Sequence, residues 1–396
     1  MSLKEKIKQQ SHELLNEITA IRRYLHAHPE LSFQEIETSK YICALLDKWN
    51  INYTTGWVKT GIVAIIKGKN AEKKCIALRA DIDALPIQEI EGRTYGSKNK
   101  GVMHACGHDV HTASLLGAAK ILNNLKNTFE GSIKLIFQPG EELLPGGASL
   151  MIKEGVLKKP NVESIFGQHV FPSLQAGKVG FRKGMYMAST DELYFTVIGK
   201  GGHAAMPADY NNPIFIAGEI IKQLHTFFME KKTNDVPTVI AFGKFTANGA
   251  TNVIPEKVSI EGTFRTMNEA WRKKSHEKII EIATSVAQQM NGKCEIDIRK
   301  GYPFLSNDEY LTEKAINFAK EFLGDENVID LDLRMTAEDF AFYSQEIPAC
   351  FYRLGTANFE KGIIAGVHTP QFDIDEKALE IGMGLMAYLA LKELSI

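Results

Sequence analysis

Apolar residues recur at helical spacing over residues 4–27 and 35–48, predicting two helices separated by "HAHPELS", where Pro29 breaks the pattern. Short apolar runs follow. "GIVAIIKG", "CIALRADIDALP" (running into a turn at Pro86), "SIKLIFQPGEE" and "SIFGQHV" read as strands, and "HTASLLGAAKILNNL" among them as a helix. Strands alternating with helices imply a largely parallel, doubly wound sheet. After about residue 184 the rhythm changes: "ELYFTVIGK" alternates like a half-buried strand, and residues 212–230 read as a helix. "TVIAFGKF" and "KVSIEGTFRT" are strands flanking "ANGATNVIP", residues 269–290 are helical, and "KCEIDIRKG" is a last strand. That β-α-β-β-α-β order is the ferredoxin-like split unit. The α/β rhythm resumes near 300 with helix 309–323, a helix from about 337, strand "CFYRLG" and closing helix 375–393. "TAED" at 336–339 has the form of a helix-start cap. The expected fold is α/β. Residues 1–184 and 300–396 form a doubly wound, mostly parallel sheet domain, into which an α+β ferredoxin-like domain, 185–299, is inserted.

Composition narrows the classes. A chain of 396 residues exceeds what one core comfortably organises. Hydrophobic content of 44% and charged content of 24% are those of an ordinary globular protein. A net charge of −2 offers no attraction for nucleic acid or an anionic membrane. No apolar run approaches the ~20 residues of a membrane span. The start, "MSLKEKIKQQSHELL", has no signal-peptide core. The 5 cysteines are odd in number and scattered, which suits free thiols in a reducing cytoplasm.

The chemistry concentrates in "HACGHDVH", residues 104–111, which holds His104, Cys106, His108, Asp109 and His111. Taken singly, each has a bland explanation. A buried histidine is usually a satisfied core residue, a cysteine is often small packing, and Glu141–Glu142 could be a solvated pair. Their placement argues otherwise. Asp81 and Asp83 follow "CIALR", Glu141 and Glu142 follow "SIKLIF", His169 follows "SIFG", and His368 comes soon after "CFYRLG". Ligands of open α/β sheets bind beyond the carboxyl ends of strands, and Cys106 and His108 join that edge from the loop before a helix. Thiolate, imidazole and carboxylate together suit zinc or another first-row divalent ion rather than magnesium or calcium, and the set is large enough for two. Glu141 and Glu142 are adjacent, so on extended backbone they point to opposite sides. One can ligate while the other serves as general base.

"LRADIDALP", "HACGHDVH", "QPGEE", "GQHV", "GGHAAMP", "TNVIP", "GTFR" and "AGVHTPQF" together resemble the M20 metallopeptidase family, in order and over nearly the whole chain. The nearest branch is the aminoacylase-like amidohydrolases: hippurate hydrolases, auxin-conjugate hydrolases and N-acetyldiaminopimelate deacetylases. The resemblance implies a catalytic domain with two divalent ions per subunit (Zn, Mn, Co or Ni) and an inserted lid that usually makes a homodimer, an enzyme that hydrolyses the amide bond of N-acyl amino acids. Carried over, the metal ligands are Cys106, His108, Glu142, His169 and His368, with Cys106 bridging. Glu141 is the general base and acid, and Asp83 orients a ligand histidine. His203 is an oxyanion donor on the inserted lid, and Asn252 and Arg265 bind substrate, a guanidinium fork suiting a carboxylate.

Alternatives remain at this level. They are a dipeptidase or aminopeptidase of the same family, a thiol hydrolase using Cys106 with His108 or His111, and a metal-bound scaffold without turnover. A zinc deaminase is disfavoured because its "PCxxC" partner motif is absent.

Overall fold

The computed structural model describes residues 1–230 and 235–395. The chain forms two compact units. One comprises Met1–Gly184, Ser306–Asp332 and Asp339–Ile396; the other comprises Met185–Leu305 and Leu333–Glu338.

The first segment carries α1 (Leu3–Ala27), α2 (Ile36–Lys48), β1 (Asn52–Trp57), β2 (Gly61–Lys67), β3 (Cys75–Asp81) and α3 (His108–Asn124). It continues with β4 (Ser132–Gln138), α4 (Gly147–Glu154), β5 (Ser164–Gln175) and β6 (Val179–Phe181). The smaller unit follows with β7 (Asp191–Ile198), α5 (Pro213–His225), β8 (Thr238–Ala247), β9 (Lys257–Thr266), α6 (Glu269–Gln289) and β10 (Lys293–Lys300). The return adds α7 (Glu309–Leu323), β11 (Val328–Asp330), α8 (Ala341–Glu346), β12 (Ala349–Ala357) and α9 (Ala378–Leu394).

The large sheet runs β1-β2-β4-β3-β5-β12-β6-β11. It is parallel through β4/β3, β3/β5, β5/β12 and β6/β11, and antiparallel at β1/β2, β2/β4 and β12/β6. Every residue of β3, β4 and β12 is buried, as expected of strands covered on both faces, which is why they read as continuous apolar runs. In the smaller unit the sheet order β8-β9-β7-β10, all antiparallel, is the ferredoxin-like arrangement.

Local chemistry sets the helix ends. Ser2 and Glu5 form a reciprocal capping box on α1, and Asn212 Oδ1 accepts from Ile214 N before Pro213 opens α5. The α1 helix docks against α3 through a buried polar anchor. Asp109 Oδ2 accepts from Arg22 Nε at 2.7 Å and His26 Nδ1 at 2.8 Å, and all three side chains are fully buried. Breaking such a pair typically costs ~3–5 kcal/mol because the remaining charge is stranded. The anchor thereby fixes the first turn of α3, which begins at His108.

Two expectations change. His169 lies within β5 rather than beyond it, because β5 continues along β12 with His169 opposite Arg353. "TAED" does not cap a helix: α8 starts at Ala341 with no side-chain cap. Asp339 is instead fully buried, taking Arg79 Nη2 at 2.7 Å and Ala148 N at 2.9 Å.

Candidate metal centre

Gly107 separates Cys106 from His108 and makes their convergence possible. Its φ is +82°, and a Cβ there would lie 2.6 Å from Val170 Cγ2. The left-handed turn, open to glycine at little cost, ends the loop at Cys106 and starts α3 at His108. His368, on the loop after β12, has φ +61°, an uncommon conformation for a side-chain-bearing residue and one that concentrates at functional sites. Its backbone N–H donates to Ala105 O at 2.8 Å, which ties its loop to the cysteine loop.

These segments place donor atoms within 4.8 Å of one another in overlapping groups: Cys106–His108–His169, Cys106–Glu142–His368 and His108–Glu141–Glu142. Cys106 Sγ is 3.4 Å from His169 Nε2 and 3.3 Å from His368 Nε2. His368 Nε2 is 3.2 Å from Glu142 Oε1, and His108 Nε2 is 3.9 Å from that oxygen. Cys106 thus stands in two triads at once. Cys106, His108, Glu141 and His169 are buried and Glu142 partly so, while the His368 side chain is 51% exposed and marks the open side.

The ring nitrogens can be assigned from their partners. His169 Nδ1 donates to Val170 O at 2.8 Å, leaving the Nε2 lone pair facing Cys106. His108 Nδ1 donates to Asp83 Oδ1 at 3.1 Å, leaving Nε2 facing the carboxylates. Asp83 is itself held by Ser32 Oγ at 2.7 Å and Glu142 N at 3.0 Å. A carboxylate behind an imidazole is the usual support of a metal-ligating histidine. His108 Nε2 and Glu142 Oε1 are buried without a hydrogen bond, a costly state that a bound cation relieves.

Electrostatics agree with a cation site. Burial, then the Glu142, Glu141 and Asp81 carboxylates, push the Cys106 thiol well above its ordinary range. Burial opposes charge on His108, but Asp81 and Asp83 outweigh it and raise the ring to about 10. Burial and Arg353 hold His169 well below the usual imidazole range. Carboxylates that oppose a thiolate are the charges a dication offsets, and a dication would hold Cys106 as thiolate and the histidines neutral. The donor set therefore fits transition-metal ions.

The other polar residues of "HACGHDVH" serve differently. Asp109 belongs to the α1 anchor. His111 is saturated: Nε2 accepts from Val170 N at 2.8 Å and Nδ1 donates to Asp81 Oδ1 at 2.6 Å. His104 is buried with neither nitrogen hydrogen-bonded.

Glu141 is buried, with Oε1 accepting from Asp339 N at 3.3 Å and Oε2 4.0 Å from His108 Nε2. Sequence reasoning missed the network behind it, in which Arg79 binds Asp81 and Asp339 at 2.7 Å each and Gln138 Oε1 at 2.9 Å. The signal was present: Arg79 and Asp81, two apart on an apolar strand, share a face.

His203, Asn252 and Arg265 lie in the smaller unit. His203 is exposed, paired with Val253 in a short antiparallel ladder. Its Nδ1 accepts from Ala205 N at 3.1 Å, so in the neutral ring Nε2 carries the proton. Asn252 O accepts from Ala204 N at 3.1 Å, which joins "GGHAAMP" to "TNVIP". Arg265 Nη1 donates to Met335 O at 3.2 Å.

A family model for peptidase family M20/M25/M40 matches residues 77–392. N-acetylcysteine deacetylase of Bacillus subtilis (strain 168) is 38% identical over 371 residues, 93% of this chain and 95% of that protein. IAA-amino acid hydrolase ILR1-like 4 of Arabidopsis thaliana is 37% identical over 381 residues, 95% of this chain and 86% of that protein. The crystal structure of Bacillus subtilis YXEP protein, a dinuclear metal binding peptidase from M20 family, is 35% identical with a TM-score of 0.82, covering 97% and 99% of the two chains. No helix among the described residues is long and apolar enough to cross a membrane.

Proposed function

The chain belongs to peptidase family M20/M25/M40, hydrolases of amide bonds, and from that premise we propose that it is a two-metal deacylase of N-acyl amino acids. The observation that carries the reading is Cys106 shared by two ligand triads with buried Glu141 beside them. Cys106, His108, Glu142, His169 and His368 would hold two divalent ions (Zn, Mn, Co or Ni), and Asp83 would keep His108 in its ligating tautomer. When bound, the ions supply carbonyl polarisation and a more acidic water. Glu141 takes the proton of the attacking water and returns it to the leaving amine. His203, through Nε2–H, stabilises the oxyanion. Arg265 pairs with the substrate carboxylate and Asn252 helps seat it. The names of the relatives, a deacetylase and an amino-acid-conjugate hydrolase, support an N-acyl amino acid as substrate. The unpaired cysteines support a reducing cytoplasm, and the resemblance supports a homodimer.

A thiol nucleophile is disfavoured, because burial and then the carboxylates around Cys106 oppose a thiolate where such catalysis lowers the thiol pKa. The test is a panel of N-acetyl, N-benzoyl and N-indolylacetyl amino acids alongside free dipeptides, assayed with protein reconstituted with each of the four metals. N-acyl amino acids are expected to give the highest kcat/KM. Faster cleavage of dipeptides would overturn the deacylase reading.

His203→Ala is expected to lower kcat ~10²–10³-fold, the usual effect of losing one oxyanion donor, with metal content unchanged. Mixing it with Glu141→Gln protein under subunit exchange tests the route. Recovery towards half the wild-type activity per heterodimer means that His203 acts across subunits. No recovery in confirmed heterodimers means that it acts within its own chain.

A further inference from the structure

We propose that Glu35 is a positioning residue for the Glu141–Glu142 turn, acting through the backbone of Gly140; the inference rests on the metal-centre reading above. Glu35 is fully buried on the segment between α1 and α2. Its Oε1 accepts from Gly140 N at 2.9 Å and Phe33 N at 2.8 Å, and its Oε2 accepts from Thr60 Oγ1 at 2.6 Å.

The plainer role for a carboxylate at the start of α2 would be capping. Glu35 makes no side-chain cap, and the first-turn amides go to Glu30, from Glu37 N at 3.2 Å and Thr38 N at 2.8 Å. The Glu35 carboxylate is thus free of helix duty and directed at the turn. Keeping it there is unfavourable: burial and then Asp83 raise its carboxyl to about 7.

Gly140 needs holding. Its φ is +62°, and a Cβ would lie 2.3 Å from Phe33 Cε1. Phe33 itself has φ +64°. The same segment supplies Ser32, whose Oγ binds Asp83 Oδ2, the oxygen that also accepts Glu142 N. One short strap therefore fixes the turn at both ends, at Gly140 N by Glu35 and at Glu142 N through Ser32 and Asp83. Glu141 and Glu142 project from between these two points.

The test uses full-length protein, with cobalt(II) visible absorption to read metal geometry and affinity, and steady-state hydrolysis of an N-acetyl amino acid. Glu35→Ala is expected to weaken cobalt binding and lower kcat each by ~10–100-fold, as for other outer supports of metal ligands, with KM nearly constant. Glu35→Asp keeps the charge but falls short of Gly140 N, and should lose as much. Glu35→Gln can accept both N–H groups through its amide oxygen and donate to Thr60. It should therefore recover affinity and kcat to near wild type; the altered cobalt spectrum and the fall in kcat at constant KM in Glu35→Ala are the readouts that a glutamate serving the fold alone would leave unmoved. If Glu35→Ala or Glu35→Asp keeps the wild-type cobalt spectrum and kcat, or if Glu35→Gln is as damaged as Glu35→Ala, the proposal fails. Wild-type protein that binds no cobalt would instead overturn the metal-centre reading itself.

Discussion

Glu141→Gln is expected to lower kcat by ~10²–10⁴-fold, the usual worth of a general base, while metal content and KM stay near wild type. The separation follows from geometry. Glutamine has nearly the shape of glutamate, and its amide oxygen can still accept from Asp339 N, which lies 3.3 Å from Glu141 Oε1. The side chain stays in place and only its ability to take a proton is lost. Glu142→Gln should behave differently, because Glu142 Oε1 is 3.2 Å from His368 Nε2 inside a ligand triad. Its amide is a poorer ligand, so occupancy falls first and activity falls with it. Elemental analysis beside steady-state kinetics distinguishes the two, and the reverse pattern would exchange their roles.

Removing the metal is expected to abolish activity outright. Dialysis against a strong chelator should leave folded, inactive protein, and a divalent ion should restore it. Cys106→Ser probes the same point from the protein side. Cys106 belongs to both triads, and serine offers no thiolate, so on the proposed bridging role both ions would lose a ligand in one substitution. Most metal and most activity should disappear together. Activity that persists in chelated protein with an intact Cys106 thiol would revive the thiol hydrolase. Full activity and full metal content in Cys106→Ser would remove both the bridging role and the thiol alternative.

How far the sequence could be read depended on the range of the interactions involved. Helical and strand periodicities are local, and they anticipated most elements to within a few residues. The convergence of Cys106, His108, Glu141, Glu142 and His368 could also be anticipated, because strand ends in an α/β sheet share an edge, whereas His169 joins them from within β5. Side-chain assignments inside the motif could not be. Asp109 pairs with Arg22 at a separation of 87 residues, and His111 with Asp81 at 30. Nothing local marks either as a partner rather than a ligand. "TAED" had the composition of a cap, but burial of Asp339 against Arg79 prevailed over that local preference. Glu35 was hidden for the same reason. Its partner Gly140 lies 105 residues away, and a carboxylate just before a helix is locally indistinguishable from a cap.

The sheet order bears on how the protein is made. β12, residues Ala349–Ala357, lies between β5 and β6 although it is the last strand of the sheet to be synthesised. At ribosomal rates of ~5–20 residues per second, β5 waits roughly ten to forty seconds for that neighbour. Until then the strand carrying His169 presents an unpaired apolar edge, a template for pairing with another chain. The contiguous run Met185–Leu305, which supplies most of the smaller unit, emerges during this interval. The metal-binding unit is therefore the last to be completed, although its first strands are made early.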